Sequence, residues 1–280
     1  MARPADLPDF ERPPVTEVIL SLQFGALEKL KSYHIGLLWT LFRNEYPNIS
    51  EQSTIEPVFE TFGKVASDGL SVRLEQFLTP PLPRYWLEKN GEPDLLQVQQ
   101  DRIIHNWRKR DGELIYPRYE TLRDRFSKEV DRFSDFVKKE QIGEIRPNQC
   151  EVTYSNVILS VGGEHIHDRF EEISPLWRGE LSEETDAEFE DARVQLRFKL
   201  VEASKHVGRV HVVFQPAVLR SDPSKQAIRL DITARGRPRE ETVASAFQFF
   251  DFGRRAVVKM FAAVTQPSMH LIWGRTNGRN

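Results

Sequence analysis

The chain has 280 residues, 39% of them hydrophobic and 10% aromatic, with 18 Phe and a formal net charge of −3. That is long for one core, comfortable for two domains or a fused duplicate, and excludes global disorder. No apolar run approaches the ~20 residues of a membrane-spanning helix. Met1-Ala-Arg-Pro-Ala-Asp6 lacks a secretory apolar region, and a single cysteine, Cys150, cannot form an internal disulfide. The expectation is a cytoplasmic protein with no membrane association, no cofactor and no metal.

Residues 1–14 contain Pro4, Pro8, Pro13 and Pro14 and read as an extended arm. In Val15–Phe24 the apolar Val18, Leu20, Leu22 and Phe24 alternate with other residues, which predicts a strand with one apolar face. Ile35, Leu38, Trp39 and Phe42 then share one helical face, closed by Pro47. Four strands are predicted next: Thr54–Thr61, Leu70–Phe77, Arg84–Glu88 and a long Leu95–Trp107, with Asn90-Gly91 as a hairpin turn before the last. Pro117 suits the first turn of a helix over 117–139, whose apolar stripe is Tyr119, Leu122, Phe126, Val130, Phe133 and Val137.

The order of elements then restarts. Glu151–Ser160 reads as a strand and Asp168–Ile173 as a short helix. Arg193–Glu202, Arg209–Leu219 and Ala227–Ala234 read as strands, and Glu240–Thr265 as a long helix with Phe247, Phe250 and Phe261 inward. "MHLIWGR" finishes as a short strand or docked tail. The prediction is an α+β protein: an arm (1–14), then two similar halves (15–145 and 146–280). Each half is a curved antiparallel sheet on a long C-terminal helix, in a TBP-like or helix-grip-like order, β-α-β4-α in the first half. The likeness is one of element order, and fold analogy carries no function.

"PPVTEVILSLQF", "HIGLLW", "LLQVQQDRIIHNWRK", "YPRYETLRDRF" and "HLIWGR" together resemble the motifs of a sporadically distributed, functionally uncharacterised bacterial protein family. The resemblance spans Phe10 to Arg275. Its sporadic occurrence implies an accessory gene of a defence, mobile-element or toxin–antitoxin system, and it implies no reaction.

The most unusual stretch is Leu95–Trp107. As one strand it puts Gln97, Gln99 and Asp101 on a shared face, polar in its middle. Burying such a row without partners is unfavourable. Gln97, Gln99, Asp101, Asn106, Trp107 and Arg108 are therefore candidate binding residues on a polar shelf of the sheet's concave side. The competing reading is a solvated strand middle, with a bulge that swaps faces.

Charge is uneven. Residues 151–200 hold 5 Lys/Arg against 12 Asp/Glu, and residues 201–280 hold 13 against 6. Arg235, Arg237, Arg239, Arg254, Arg255, Lys259 and Arg275 would make a patch for an anionic partner if they converged, with affinity falling steeply in salt. Mutual neutralisation of the two blocks is the alternative, and a whole-chain pI near 6.2 favours it. His165, His167 and Asp168 offer one His-x-His pair in an acidic loop, too few ligands for a metal. There is no Gly-x-Ser-x-Gly, Walker loop or dinucleotide fingerprint. The expected function is non-enzymatic binding of a protein partner. Nucleic-acid binding is the alternative, and an enzyme of unrecognised type is less favoured.

Overall fold

In the computed structural model the residues described are 4, 6–62, 82–91, 93–110, 115–159, 165–179, 185–219 and 221–277. The predicted strand Leu70–Phe77 lies outside them.

The fold is α+β, and among the described residues nine strands form one antiparallel sheet. In chain order the elements begin with β1 (Asp9–Phe10), β2 (Val15–Phe24), α1 (Ser32–Phe42), β3 (Asn48–Gln52), β4 (Arg84–Glu88), β5 (Asp94–Gln99), β6 (Arg102–Arg108) and α2 (Tyr119–Lys139). They continue with β7 (Pro147–Leu159), a 3-10 turn (His167–Arg169), α3 (Phe170–Ile173), β8 (Val194–Glu202), β9 (Lys205–Val218), β10 (Gln226–Gly236), α4 (Val243–Val264), α5 (Pro267–Ile272) and β11 (Arg275–Asn277). The sheet order is β3-β4-β5-β6-β2-β7-β10-β9-β8, and β1 pairs separately with β11. The arm is thus tied to the C-terminal segment, where the Phe10 ring meets Phe261 and Trp273.

Four expectations change. The long strand is a hairpin: β5 and β6 turn back at Gln100-Asp101, with Gln99 opposite Arg102 and Gln97 opposite Ile104. The turn is docked, because Phe24 and Leu27 donate backbone N–H to the carbonyls of Asp101 and Gln100 at 2.8 and 2.9 Å. Thr54–Thr61 is no strand. β3 precedes it, and residues 53–62 run as an extended strap across the sheet, their N–H groups meeting side chains rather than a ladder. "MHLIWGR" holds the end of α5, which Pro267 opens at its first turn, before β11 begins. Pro117 also sits outside its helix, since α2 starts at Tyr119 after Arg118 at φ 73°.

Opposed residues in an antiparallel ladder share a face, so the registers sort the sheet into two faces. One carries Leu20, Leu22, Leu96, Ile103, Val152, Leu230, Ile232, Val210 and Val212, all buried. Helices α2 and α4 cover it, because their stripes of Phe and Val recur every three or four residues. Phe126 joins the layers, its ring 5.8 Å from Phe247 and 5.6 Å from Phe250. Gly253 brings α4 close to the sheet, where a Cβ would lie 3.3 Å from that of Ala234. The opposite face is polar across its middle strands. It carries Gln97, Asn106, Glu17, Ser21, Glu151, Thr153, Thr233, Arg235, His211 and Arg209. Among the described residues no helix is long and apolar enough to cross a membrane.

Candidate binding site on the polar face of the sheet

A cavity of about 320 Å³ lies on the polar face, lined in part by Arg84, Trp86, Gln97, Asn106, Arg108 and Glu17. Its side chains form one hydrogen-bonded chain. Arg84 Nη1 and Trp86 Nε1 both donate to Gln97 Oε1, the latter at 3.0 Å. Gln97 Nε2 donates to Asn106 Oδ1 at 2.5 Å, and Asn106 Nδ2 donates to Glu17 Oε1 at 2.8 Å. Arg108 Nε completes the chain at Glu17 Oε1, 3.0 Å away. Each amide is fixed in orientation by a charged end, which preorganises the wall. The guanidinium carbons of Arg84 and Arg108 lie 5.5 and 4.8 Å from the Trp86 ring centroid.

The strap is fastened to the same face by glutamines acting as strand surrogates. Gln99 accepts from Ile55 N (2.9 Å) and donates to Ile55 O (3.0 Å), and Gln23 accepts from Val58 N (3.3 Å). Glu60 then enters the face and meets two arginines and a histidine. It pairs with Arg209, with His211 Nε2 at 2.6 Å and with Arg235 Nη1 at 3.6 Å. Burial pushes the Glu60 carboxyl upward, but His211, Arg209 and Arg235 outweigh it, and its pKa lies below the usual value.

Of the polar-shelf residues picked from sequence, Gln97, Asn106 and Arg108 line the cavity, and of the basic candidates Arg235 does. Gln99 holds the strap. Asp101 sits in the hairpin turn, clamped by Arg102 through Nε (3.0 Å) and Nη2 (2.9 Å) and by Gln99 Nε2 (2.9 Å). Trp107 points to the other face, buried beside Tyr116. The hairpin turn is the reason. Sequence parity assumed an unbroken strand, and the two turn residues shift which later residues share a face with Gln97.

The seven basic candidates do not converge. Arg235 is on the polar face, bound to Glu151 at 2.6 Å. Arg237 lies over Phe59, and Arg239 pairs with Glu202 at 2.5 Å. Arg254 is buried on α4, across the sheet, with Glu120 at 3.5 Å. Arg255 and Lys259 reach Asp6 of the arm at 2.8 and 3.5 Å, and Arg275 donates to His270 Nδ1 at 3.0 Å. His167 is used structurally, its Nε2 lying 2.9 and 3.0 Å from the Ala217 and Ala227 carbonyls. Among the described residues no cluster of His, Cys, Asp and Glu fits a metal ion.

Sequence reading missed Arg84, Trp86, Arg102 and Glu17. The signal was present in β4, where Arg84, Trp86 and Glu88 alternate with the apolar Tyr85 and Leu87. It also missed a buried network on the helix-covered face. His105 is fully buried, with Nδ1 2.9 Å from Glu129 Oε2 and Nε2 3.6 Å from Asp94 Oδ1. The latter is an ion pair across a gap too long for a hydrogen bond. Glu129 also accepts from Tyr46 OH at 2.5 Å, and Asp94 pairs with Arg125 at 2.6 Å and Lys89 at 3.3 Å.

Neither a protein-family model nor a curated protein matches this chain. The family resemblance therefore rests on its motifs, and function on the chemistry of the polar face.

Proposed function

We propose that this chain is a non-enzymatic binding protein of an accessory bacterial system, which recognises another protein through the cavity on the polar face of its sheet. The observation that carries this reading is the fixed chain Arg84/Trp86–Gln97–Asn106–Glu17–Arg108 along the cavity wall. Preorganised donors and acceptors bind without first losing side-chain freedom. The accessory bacterial setting follows from the family resemblance alone.

We also read the chain as two similar halves. In each, the first strand lies at the centre of the sheet and the last lies beside it, with the others outward: β2-β6-β5-β4-β3 on one side, β7-β10-β9-β8 on the other. This order supports the TBP-like or helix-grip-like arrangement.

The test is recovery of the tagged chain from its native host, with bound proteins quantified by mass spectrometry, beside the variant Asn106→Leu. One protein recovered reproducibly by the wild type and lost from the variant is expected. Recovery of no partner, with turnover in a nuclease, phosphatase or hydrolase screen, overturns the reading.

A further inference from the structure

Among the described residues four arginines line the cavity. Three have carboxylates: Arg102 is clamped by Asp101, Arg108 is bound by Glu17, and Arg235 by Glu151 and Glu60. Arg84 has none among the described residues. Its Nε donates to the Ser53 carbonyl at 3.1 Å and its Nη1 to Gln97, while Nη2 makes no hydrogen bond among the described residues. Burial, then the charges of Arg102 and Arg108, pull the Arg84 pKa down. These like charges crowd one another, and the crowding is relieved by an anion.

Arg108 also has donors to spare. Only its Nε is engaged among the described residues, and its side chain is 37% exposed. Both guanidiniums lie over the same Trp86 ring, so the unused N–H groups belong to one wall of one cavity. A carboxylate, with two oxygens and about four acceptor positions, matches such donors. A volume of 320 Å³ is on the order of ten waters, enough for one side chain and a short piece of backbone. Ile19, Ile104, Ile55 and Val58 offer apolar contact for its methylene groups. Glu17 and Glu151 share the lining and would repel a polyphosphate chain, whereas a single carboxylate can settle by Arg84.

The geometry points to a subsite for an acidic side chain, Glu or Asp, of the partner protein, its carboxylate held between Arg84 and Arg108 beside Trp86. This assignment rests on the protein-binding reading above and names the chemistry of the partner.

Isothermal titration calorimetry of the full chain tests it, with blocked Gly-Glu-Gly, blocked Gly-Gln-Gly and inorganic phosphate as probes. The Glu peptide is expected to bind saturably and the Gln peptide not at all. Arg84→Gln should weaken the Glu peptide about ten- to hundredfold, and Arg84→Lys less. An unchanged urea midpoint for both variants shows that the fold is kept. Equal binding of Glu and Gln peptides overturns the assignment. So does phosphate binding more tightly than the Glu peptide, or an Arg84→Gln variant that is folded and binds like wild type. Partner recovery separates the two readings. A partner captured equally by wild type and Arg84→Gln leaves a binding protein without this subsite. Peptide binding that depends on Arg84, with no partner recovered, leaves the subsite and removes the protein-binding role.

Discussion

The buried His105 makes stability depend on alkaline pH, and Glu129→Gln isolates the effect. Burial pulls the imidazole pKa down, but the Glu129 and Asp94 carboxylates outweigh it and raise the value from 6.5 to about 9. A group whose folded pKa is raised stabilises the fold fully below its unfolded value and stops doing so as pH rises through its folded one. The window here runs from about 6.5 to about 9, and the shift corresponds to roughly 3 kcal/mol. His105 is wholly buried, so solvent screening removes little of this. Tyr46 does not interfere, because burial and then Glu129 push its hydroxyl well above this window. The Asp94 pKa, near 2 because His105, Arg125 and Lys89 outweigh its burial, keeps that carboxylate charged throughout. Glu129→Gln keeps the shape and the acceptor for Tyr46 while removing the nearer anion. Urea unfolding at several pH values between about 6 and 10 should show wild-type stability falling by a few kcal/mol, and the variant starting lower with a much shallower slope. Parallel curves for the two proteins would refute the ion-pair argument.

Phe126→Ala should cost about 3–5 kcal/mol in urea unfolding, since Phe126 is fully buried against Phe247 and Phe250. Glu60→Gln should release the strap, read as faster hydrogen exchange at the Ile55 and Val58 amides. Because His211, Arg209 and Arg235 outweigh burial and lower the Glu60 pKa, wild type should keep this protection above the usual carboxylate range and lose it as pH falls through that depressed value. Gly208→Ala should destabilise by about 1–3 kcal/mol, because a Cβ there overlaps the Arg235 carbonyl across the β9–β10 ladder. Fluorescence anisotropy with single-stranded and duplex DNA and RNA at low salt should show no binding that steepens as salt falls, since the basic candidates are dispersed and paired with acids. Binding lost on reversing Arg235, Arg237 and Arg239 to Glu would contradict this.

Much of the fold was legible because its elements carry their own period. β2 alternates, and the stripes of α2 and α4 step by three or four, so each was placed within a few residues of its observed bounds. The failures share one cause, which is that the deciding partner lies far away in sequence. Gln100-Asp101 carries neither Gly nor Pro, and Asp101 is its one local turn signal. It is stabilised by Phe24 and Leu27, more than seventy positions earlier, and by Arg102 closing on Asp101. Residues 54–61 have strand-like composition but no free ladder beside them. The Ile55 N–H and carbonyl and the Val58 N–H are met by Gln99 and Gln23, which a sequence window cannot supply.

The polar row that drew attention in the sequence has a physical explanation in two parts. A sheet covered by helices on one face needs only that face apolar, so the other is free to carry polar groups. Here those groups are divided by position. Gln99 and Gln23 replace a missing strand for the strap, and Gln97 and Asn106 carry a hydrogen-bonded chain between two arginines. The first role is local and saturates its donors and acceptors. The second ends in charges, and Glu17 satisfies only the Arg108 end. At the other end, among the described residues, Arg84 keeps a guanidinium nitrogen unbonded in a cavity with Arg102 and Arg108 close by. Sequence could show that the row was too polar to be buried for nothing. Only the register shows which of its residues are already spent on the fold and which remain available to a partner.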